Sequence, residues 1–256
     1  MKDKKDFFDL FMTRLKSIFN ELEFIKSIFV PIHQAGYPFI IIFGLVSLIM
    51  GSFSDFLGWL GLVLTLWCVY FFRDPLRVTP EKQGIVISPA DGKVLPITNE
   101  FPPEDATKKE KMKKISIFMN VFNVHVNRIP FGGKIDSLKY YPGAFFNASL
   151  DKASKENERM VIKIKLDNGL IIYVVQIAGL IARRIKCDLE EGKIVKAGEK
   201  FGIIRFGSRV DVYLPMNFTL NVLEGQTIIG GETVLANQIM KLNKPKVVKT
   251  KKTTDK

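Results

Sequence analysis

Residues 114–129 read KISIFMNVFNVHVNRI, a run in which β-branched and aromatic residues alternate with small polar ones. A period of two marks a strand, because successive side chains point to opposite faces. On that reading Phe122, Val124 and Val126 share one face, and Asn123, His125 and Asn127 share the other. Similar runs recur C-terminal to Pro75: GIVISP (84–89), MVIKIKL (160–166), LIIYVVQIAG (170–179), KFGIIRF (200–206), RVDVYL (209–214) and TLNVL (219–223). Gly, Pro, Asn and Asp separate them, and Asp167-Asn168-Gly169 is a strong hairpin signal. Residues 105–114 read as a charged loop or short helix. The expected fold is mainly β, a sandwich or barrel.

Working outward, GKIVKAGEKFGIIRFGS (192–208) resembles the turn-and-strand pattern of barrel-sandwich, lipoyl-like folds, so residues 73–240 are expected to form a barrel-sandwich-like catalytic domain. N-terminal to it the character changes. Between Tyr37 and Phe72 the only charged residue is Asp55. This stretch is too long for one membrane span and short for two. The polar break at Ser52, Ser54 and Asp55 predicts a hydrophobic hairpin of two short helices over 37–72, with Trp67 and Tyr70 suited to an interface. Residues 1–36 hold Phe8, Phe11, Met12, Leu15, Phe19, Leu22 and Ile25 at helical spacing and predict an amphipathic interfacial helix. Lys16 and Lys26 precede the hairpin, and Arg73 and Arg77 follow it. Basic flanks at both ends put both on the cytoplasmic side, which locates the chain at the cytoplasmic face of the cell membrane. The tail, residues 241–256, carries seven lysines and one acid and is expected to be disordered.

The formal net charge of +12 favours an anionic partner, a lipid surface or a nucleic acid, without choosing between them. The two cysteines, Cys68 and Cys187, have neither metal-ligand spacing nor a disulfide pattern. The two histidines are His33 and His125, so any imidazole chemistry must use one of them.

Three residues suggest chemistry together, although each has an ordinary explanation alone. Asp91 sits in an ADG turn, His125 on a polar strand face, and Ser208 after Gly207 between two strand-like runs. A carboxylate can orient an imidazole, and the imidazole can take a hydroxyl proton. No G-x-S-x-G elbow is present. The residues alone indicate an activated serine in a β domain and leave the product open; a membrane Ser-His-Asp hydrolase is one reading.

Several segments, in order, narrow that choice: IHQAGYPFI (32–40), FFRDP (71–75), SPADGKV (88–94), MNVFNVHVNRIPFGGKI (119–135), YPG (141–143), QIAGLIARRI (176–185) and FGSRVDVYLP (206–215). Together they resemble the phosphatidylserine decarboxylase family in its shorter bacterial and archaeal form. Longer members carry LGST where this chain reads FGSR.

The resemblance implies that the chain cuts itself between Gly207 and Ser208 into a large chain (1–207) and a small chain (208–256). His125, oriented by Asp91, would deprotonate Ser208, whose oxygen attacks the Gly207 carbonyl. The resulting ester eliminates, and the dehydroalanine left behind hydrolyses to a pyruvoyl group. That covalent cofactor is the electron sink for decarboxylation of phosphatidylserine to phosphatidylethanolamine, a job that PLP does elsewhere. His125 would then return a proton to the substrate carbon. An ether lipid bearing phosphoserine would suit the same chemistry. The expected partners are the phospholipid membrane and its anionic lipid, not nucleic acid, and an oligomer is compatible with the sequence. No metal is expected. Arg183 and Arg184 are candidates for the lipid phosphate. Phe145, Phe146 and the Phe71–Phe72 pair are candidates for an acyl groove. If the anchor is separable, removing residues 1–72 should leave a soluble domain that still cleaves itself.

Overall fold

The computed structural model describes residues 30–103, 110–150, 153–180, 184–205 and 208–239. The amphipathic helix expected before Val30, Gly207, Arg183 and the lysine-rich tail lie outside them.

The apolar run folds as two helices, α1 (Tyr37–Gly51) and α2 (Asp55–Phe71). Pro38 sits in the first turn of α1, where a missing N–H costs nothing. The helices separate at Ser52, whose N–H still reaches the Leu48 and Ile49 carbonyls. Small residues let them pack closely. A Cβ on Gly58 would lie 2.9 Å from the Gly51 Cα, and one on Gly61 would lie 2.7 Å from the Ser47 hydroxyl. Ser47 also donates to the Gly58 carbonyl at 3.1 Å. Outward faces are apolar and bare, with Leu48, Phe56 and Trp59 all largely exposed. The stretch Gln34–Gly51 is long and apolar enough to cross a membrane.

The remainder is mainly β, as expected. The strands are β1 (Ile85–Ile87), β2 (Gly92–Val94), β3 (Thr98–Glu100), β4 (Met112–Met119), β5 (Val126–Arg128), β6 (Gly133–Tyr141), β7 (Arg159–Lys165) and β8 (Ile171–Ala178). After them come β9 (Ile185–Cys187), β10 (Ile194–Val195), β11 (Lys200–Ile204), β12 (Ser208–Leu214), β13 (Phe218–Leu220), β14 (Thr227–Ile228) and β15 (Val234–Gln238). One large sheet runs β10-β6-β7-β8-β12-β4-β2-β14, with β3 also on β4. Two three-stranded sheets, β1-β15-β13 and β5-β11-β9, accompany it. These sheets do not close into a barrel.

The large sheet is buried on both faces at its centre. Every residue of β12 is buried. Ile117, Met119, Val174, Val210 and Val212 belong to the main core. The alternate residues Tyr173, Val175, Ile177 and Tyr213 form a second cluster on the other face. Double burial explains why β8 reads as a near-continuous apolar run. The Asp167–Gly169 signal does close the β7–β8 hairpin, with Gly169 at φ +81°.

The run 114–129 does not form one strand. β4 ends at Met119, a turn occupies Asn120–Asn123, and β5 begins at Val126 in a different sheet. Asn side chains make the break: Asn123 Oδ1 accepts from the Asn120 N–H, and Asn120 Oδ1 accepts from the Phe122 N–H. The polar strand face expected for Asn123, His125 and Asn127 is therefore absent. His125 and Asn127 are wholly buried, while Asn123 belongs to the turn.

The hairpin plugs into this β body. Cys68, Phe71 and Phe72 are buried in one cluster with Val124, Val126 and Ile203. The His33 N–H donates to the Phe72 carbonyl at 2.8 Å, and the Asp74 N–H to the Pro31 carbonyl at 2.6 Å.

Candidate active site

Ser208 is the first residue of β12, and its main chain pairs with Met119 of β4 and Ala178 of β8. Cross-strand partners share a face, so Ser208 points into the interior with Met119 and Ala178. It is wholly buried. Among the described residues its hydroxyl meets the Met119 sulfur at 3.9 Å, a weak acceptor. Asn127 Nδ2 approaches the same sulfur at 3.8 Å, and Gln176 Nε2 donates to Asn127 Oδ1 at 2.8 Å. Met119 thus links the serine to Asn127 and, through it, to Gln176; no sequence signal marked Met119 or Gln176. Their proximity depends on a register between β4, β8 and β12 that is set far along the chain.

His125 lies one residue before β5, and its carbonyl accepts from the Ile204 N–H at 3.4 Å. His125 is six residues from Met119 and Ile204 is four from Ser208, so the Met119–Ser208 pairing and the His125–Ile204 bond put the histidine and the serine in one region. The ring packs on Phe71, with centroids 4.3 Å apart. Its Nδ1 is 2.9 Å from the Asn123 carbonyl oxygen. A carbonyl only accepts, so Nδ1 carries the proton and Nε2 keeps its lone pair. Burial pushes the imidazole pKa down to about 4; the Asn123 bond opposes this and the Arg73 charge adds to it. The ring is a neutral base at physiological pH.

Asp91 stands in the turn before β2, as expected. Its Oδ2 meets Arg77 at 2.8 Å, and its Oδ1 accepts from the Gly230 N–H at 2.7 Å. Burial raises its pKa, and the Gly230 N–H and the Arg77 charge pull the other way. Asp91 thus ties its turn to Arg77 and to Gly230. Gly92 is required here: a Cβ would fall 2.2 Å from the Phe118 carbonyl oxygen. Arg77 and Gly230 were not foreseen, since both meet Asp91 only through tertiary folding.

Of the weaker candidates, Arg184 is exposed, Phe145 packs partly buried against the main core, and Phe146 is about one-third exposed (37%). Phe71 walls the histidine and packs against Phe72, and both are fully buried. No group of three or more metal-ligating side chains occurs among the described residues.

Fold and site define a β protein with an apolar helical hairpin and a buried serine, at a strand start, in one region with a neutral imidazole. The family profile "Phosphatidylserine decarboxylase" matches residues 64–236. The "Phosphatidylserine decarboxylase proenzyme" of Rickettsia akari (strain Hartford) is 56% identical over 213 residues, covering 83% of this chain and 92% of the relative. The proteins of that name from Rickettsia bellii (strain OSU 85-389) and Rickettsia prowazekii (strain Madrid E) match to the same extent. The chain belongs to the phosphatidylserine decarboxylase family.

Proposed function

We propose that this chain decarboxylates phosphatidylserine to phosphatidylethanolamine after cutting itself between Gly207 and Ser208. The observation that carries the reading is the buried Ser208 hydroxyl, whose sulfur contact is weak, in one region with a neutral imidazole, in a chain 56% identical to proenzymes.

His125 Nε2 takes the Ser208 hydroxyl proton, and the oxygen attacks the Gly207 carbonyl carbon. The C–N bond breaks, an ester forms, and the amine of residue 208 is freed. Loss of the Ser208 α-proton then breaks the Cβ–O bond and releases residues 1–207 as a carboxylate. Water replaces the nitrogen of the resulting dehydroalanine, giving ammonia and a pyruvoyl group. The residues present fit that group. Its methyl would face Met119 and Ala178, and among the described residues the hydroxyl gives up a weak sulfur contact. The group supplies the electron sink that no ordinary side chain offers when carbon dioxide leaves. His125 relays a proton to the substrate carbon, Asp91 ties its turn to Arg77 and Gly230, and Phe71 keeps water from the ring. Complete burial of Ser208 disfavours a hydrolase open to external esters.

The apolar helices support a site at a bilayer surface, and the basic residues that flank them support the cytoplasmic side. Ser208→Ala should give one uncut chain on a denaturing gel with no decarboxylase activity. Wild type should give two chains, the smaller blocked at its N-terminus and reactive with hydroxylamine. Two chains from Ser208→Ala would refute the reading.

A further inference from the structure

Basic side chains around the site fall into two groups. Most are committed. Arg77 pairs with Asp91, and Lys200 with Asp74 at 2.6 Å. Arg128 donates to the Gly198 and Pro75 carbonyls, and Arg73 to those of Tyr70 and Phe122. Arg184 and Arg205 differ: no acid pairs with either among the described residues. They are neighbours, joined by a main-chain bond from the Arg205 N–H to the Arg184 carbonyl at 3.5 Å. The Arg205 Nε is buried with no hydrogen-bond partner. A buried guanidinium N–H without an acceptor is costly and is normally satisfied. Burial and the charge of Arg184 both push the Arg205 pKa down, so this pair repels itself.

Position gives the missing acceptor its chemistry. The Arg205 guanidinium lies 5.3 Å from the centre of the Phe39 ring, in the first turn of α1. It therefore stands where the apolar hairpin enters the β body. It also lies three residues before Ser208, a chain reach of about 10 Å, and next to Ile204, which bonds to the His125 carbonyl. In the lipid substrate proposed above, an ester oxygen and one methylene separate phosphorus from the carbon bearing the amine and carboxyl. A group that holds the phosphate must sit close to the reacting centre and at the bilayer surface. Arg205 does both, and a guanidinium grips phosphate oxygens in pairs.

We propose that Arg205, assisted by Arg184, is the binding site for the phosphodiester of the lipid headgroup. The inference rests on the decarboxylase reading. Self-cleavage involves no lipid, so it reports folding separately from substrate binding.

The test uses full-length Arg205→Gln, Arg184→Gln and Arg205→Lys chains on neutral vesicles doped with phosphatidylserine. Arg205→Gln should be fully cleaved and bind vesicles as wild type does. Its kcat should stay within about twofold while KM rises about 10- to 100-fold, the loss expected of charge-assisted bonds. Arg205→Lys should recover part of that loss, and Arg184→Gln should show a smaller rise. An unchanged KM in cleaved Arg205→Gln overturns the proposal. So does a defect that disappears once vesicle binding is corrected for, which would mean general attraction to anionic lipid. If wild type decarboxylates nothing, the function reading fails. The subsite is then judged by titration with glycerophosphoserine and inorganic phosphate. Binding of either by wild type and not by Arg205→Gln upholds it, and equal or absent binding overturns it.

Discussion

The state of His125 follows from two neighbours: Phe71 packs tilted against the ring, and the Asn123 carbonyl accepts the Nδ1–H hydrogen bond. A neutral base with a pKa of about 4 predicts an unusual pH profile. Self-cleavage of freshly made proenzyme should be flat from pH 8 to about 5 and fall only near 4. An inflection near the ordinary value of 6.5 would show a hydrated ring and remove Phe71 from this role. The same shift bears on stability. The unfolded histidine binds a proton below pH 6.5 and the folded one only below about 4, so stability is lost as pH falls through that window. The loss is about 3 kcal/mol by the bottom of the window. His125→Ala should block cleavage at every pH, and two chains from it would exclude the imidazole. Asp91, His125 and Ser208 could be picked from the sequence only as a set, and His125 and Asn127 for a polar strand face that the turn at Asn120–Asn123 removes. Arg77, Gly230, Met119 and Gln176 were not picked as site residues, because nothing local in the sequence encodes which distant strand a side chain will face.

Among the elements, the helix pair was legible from its apolar run and its polar break, and the β7–β8 hairpin from its Asn-Gly turn. The split of residues 114–129 was not, because Asn120 and Asn123 break a run whose alternation reads straight through them. Nor was the join between hairpin and β body. Phe71 and Phe72 read as the end of a membrane helix, yet they are core residues packed on Val124, Val126 and Ile203. This argues against a separable anchor. Cutting away residues 1–72 would open that cluster and bare one side of His125, so the truncated domain should be poorly soluble and uncut. Phe71→Ala in the full chain should leave a large cavity, cost about 3–5 kcal/mol and slow cleavage, read by denaturing gel and thermal unfolding. A soluble, normally cleaved 73–256 fragment would show that the hairpin contributes nothing to the site. β12 offers a second case. Arg209, one residue after Ser208 and on the opposite face, meets Asp211 at 2.6 and 3.1 Å and donates to Ser116 at 2.8 Å. Both charges are buried, with Lys114 3.8 Å from Asp211. Arg209→Met leaves the buried carboxylate with Lys114 alone, at 3.8 Å, and should cost about 3–5 kcal/mol, whereas Arg209→Met with Asp211→Leu should recover most of it. Equal loss in the double variant would show that the pair is intrinsically stabilising.

At the level of the whole molecule, the proposed cut falls where the fold can least release its products. Residues after 207 supply β12 to β15. β12 lies between β8 and β4 in the middle of the large sheet, β15 lies between β1 and β13, and β14 pairs with β2. Val210, Val212, Leu214, Phe218, Val222, Ile228 and Leu235 are all buried in the main core. Burial of such side chains is worth roughly 1.5–3 kcal/mol each, far more than one broken peptide bond removes. The cut therefore changes covalent structure while leaving the fold closed, and the new chain end stays beside His125, where the chemistry needs it. The two chains should co-elute as one species on native size exclusion and separate only in denaturant, in a single unfolding transition that coincides with loss of decarboxylase activity. A small chain that dissociates under native conditions would contradict the central placement of β12.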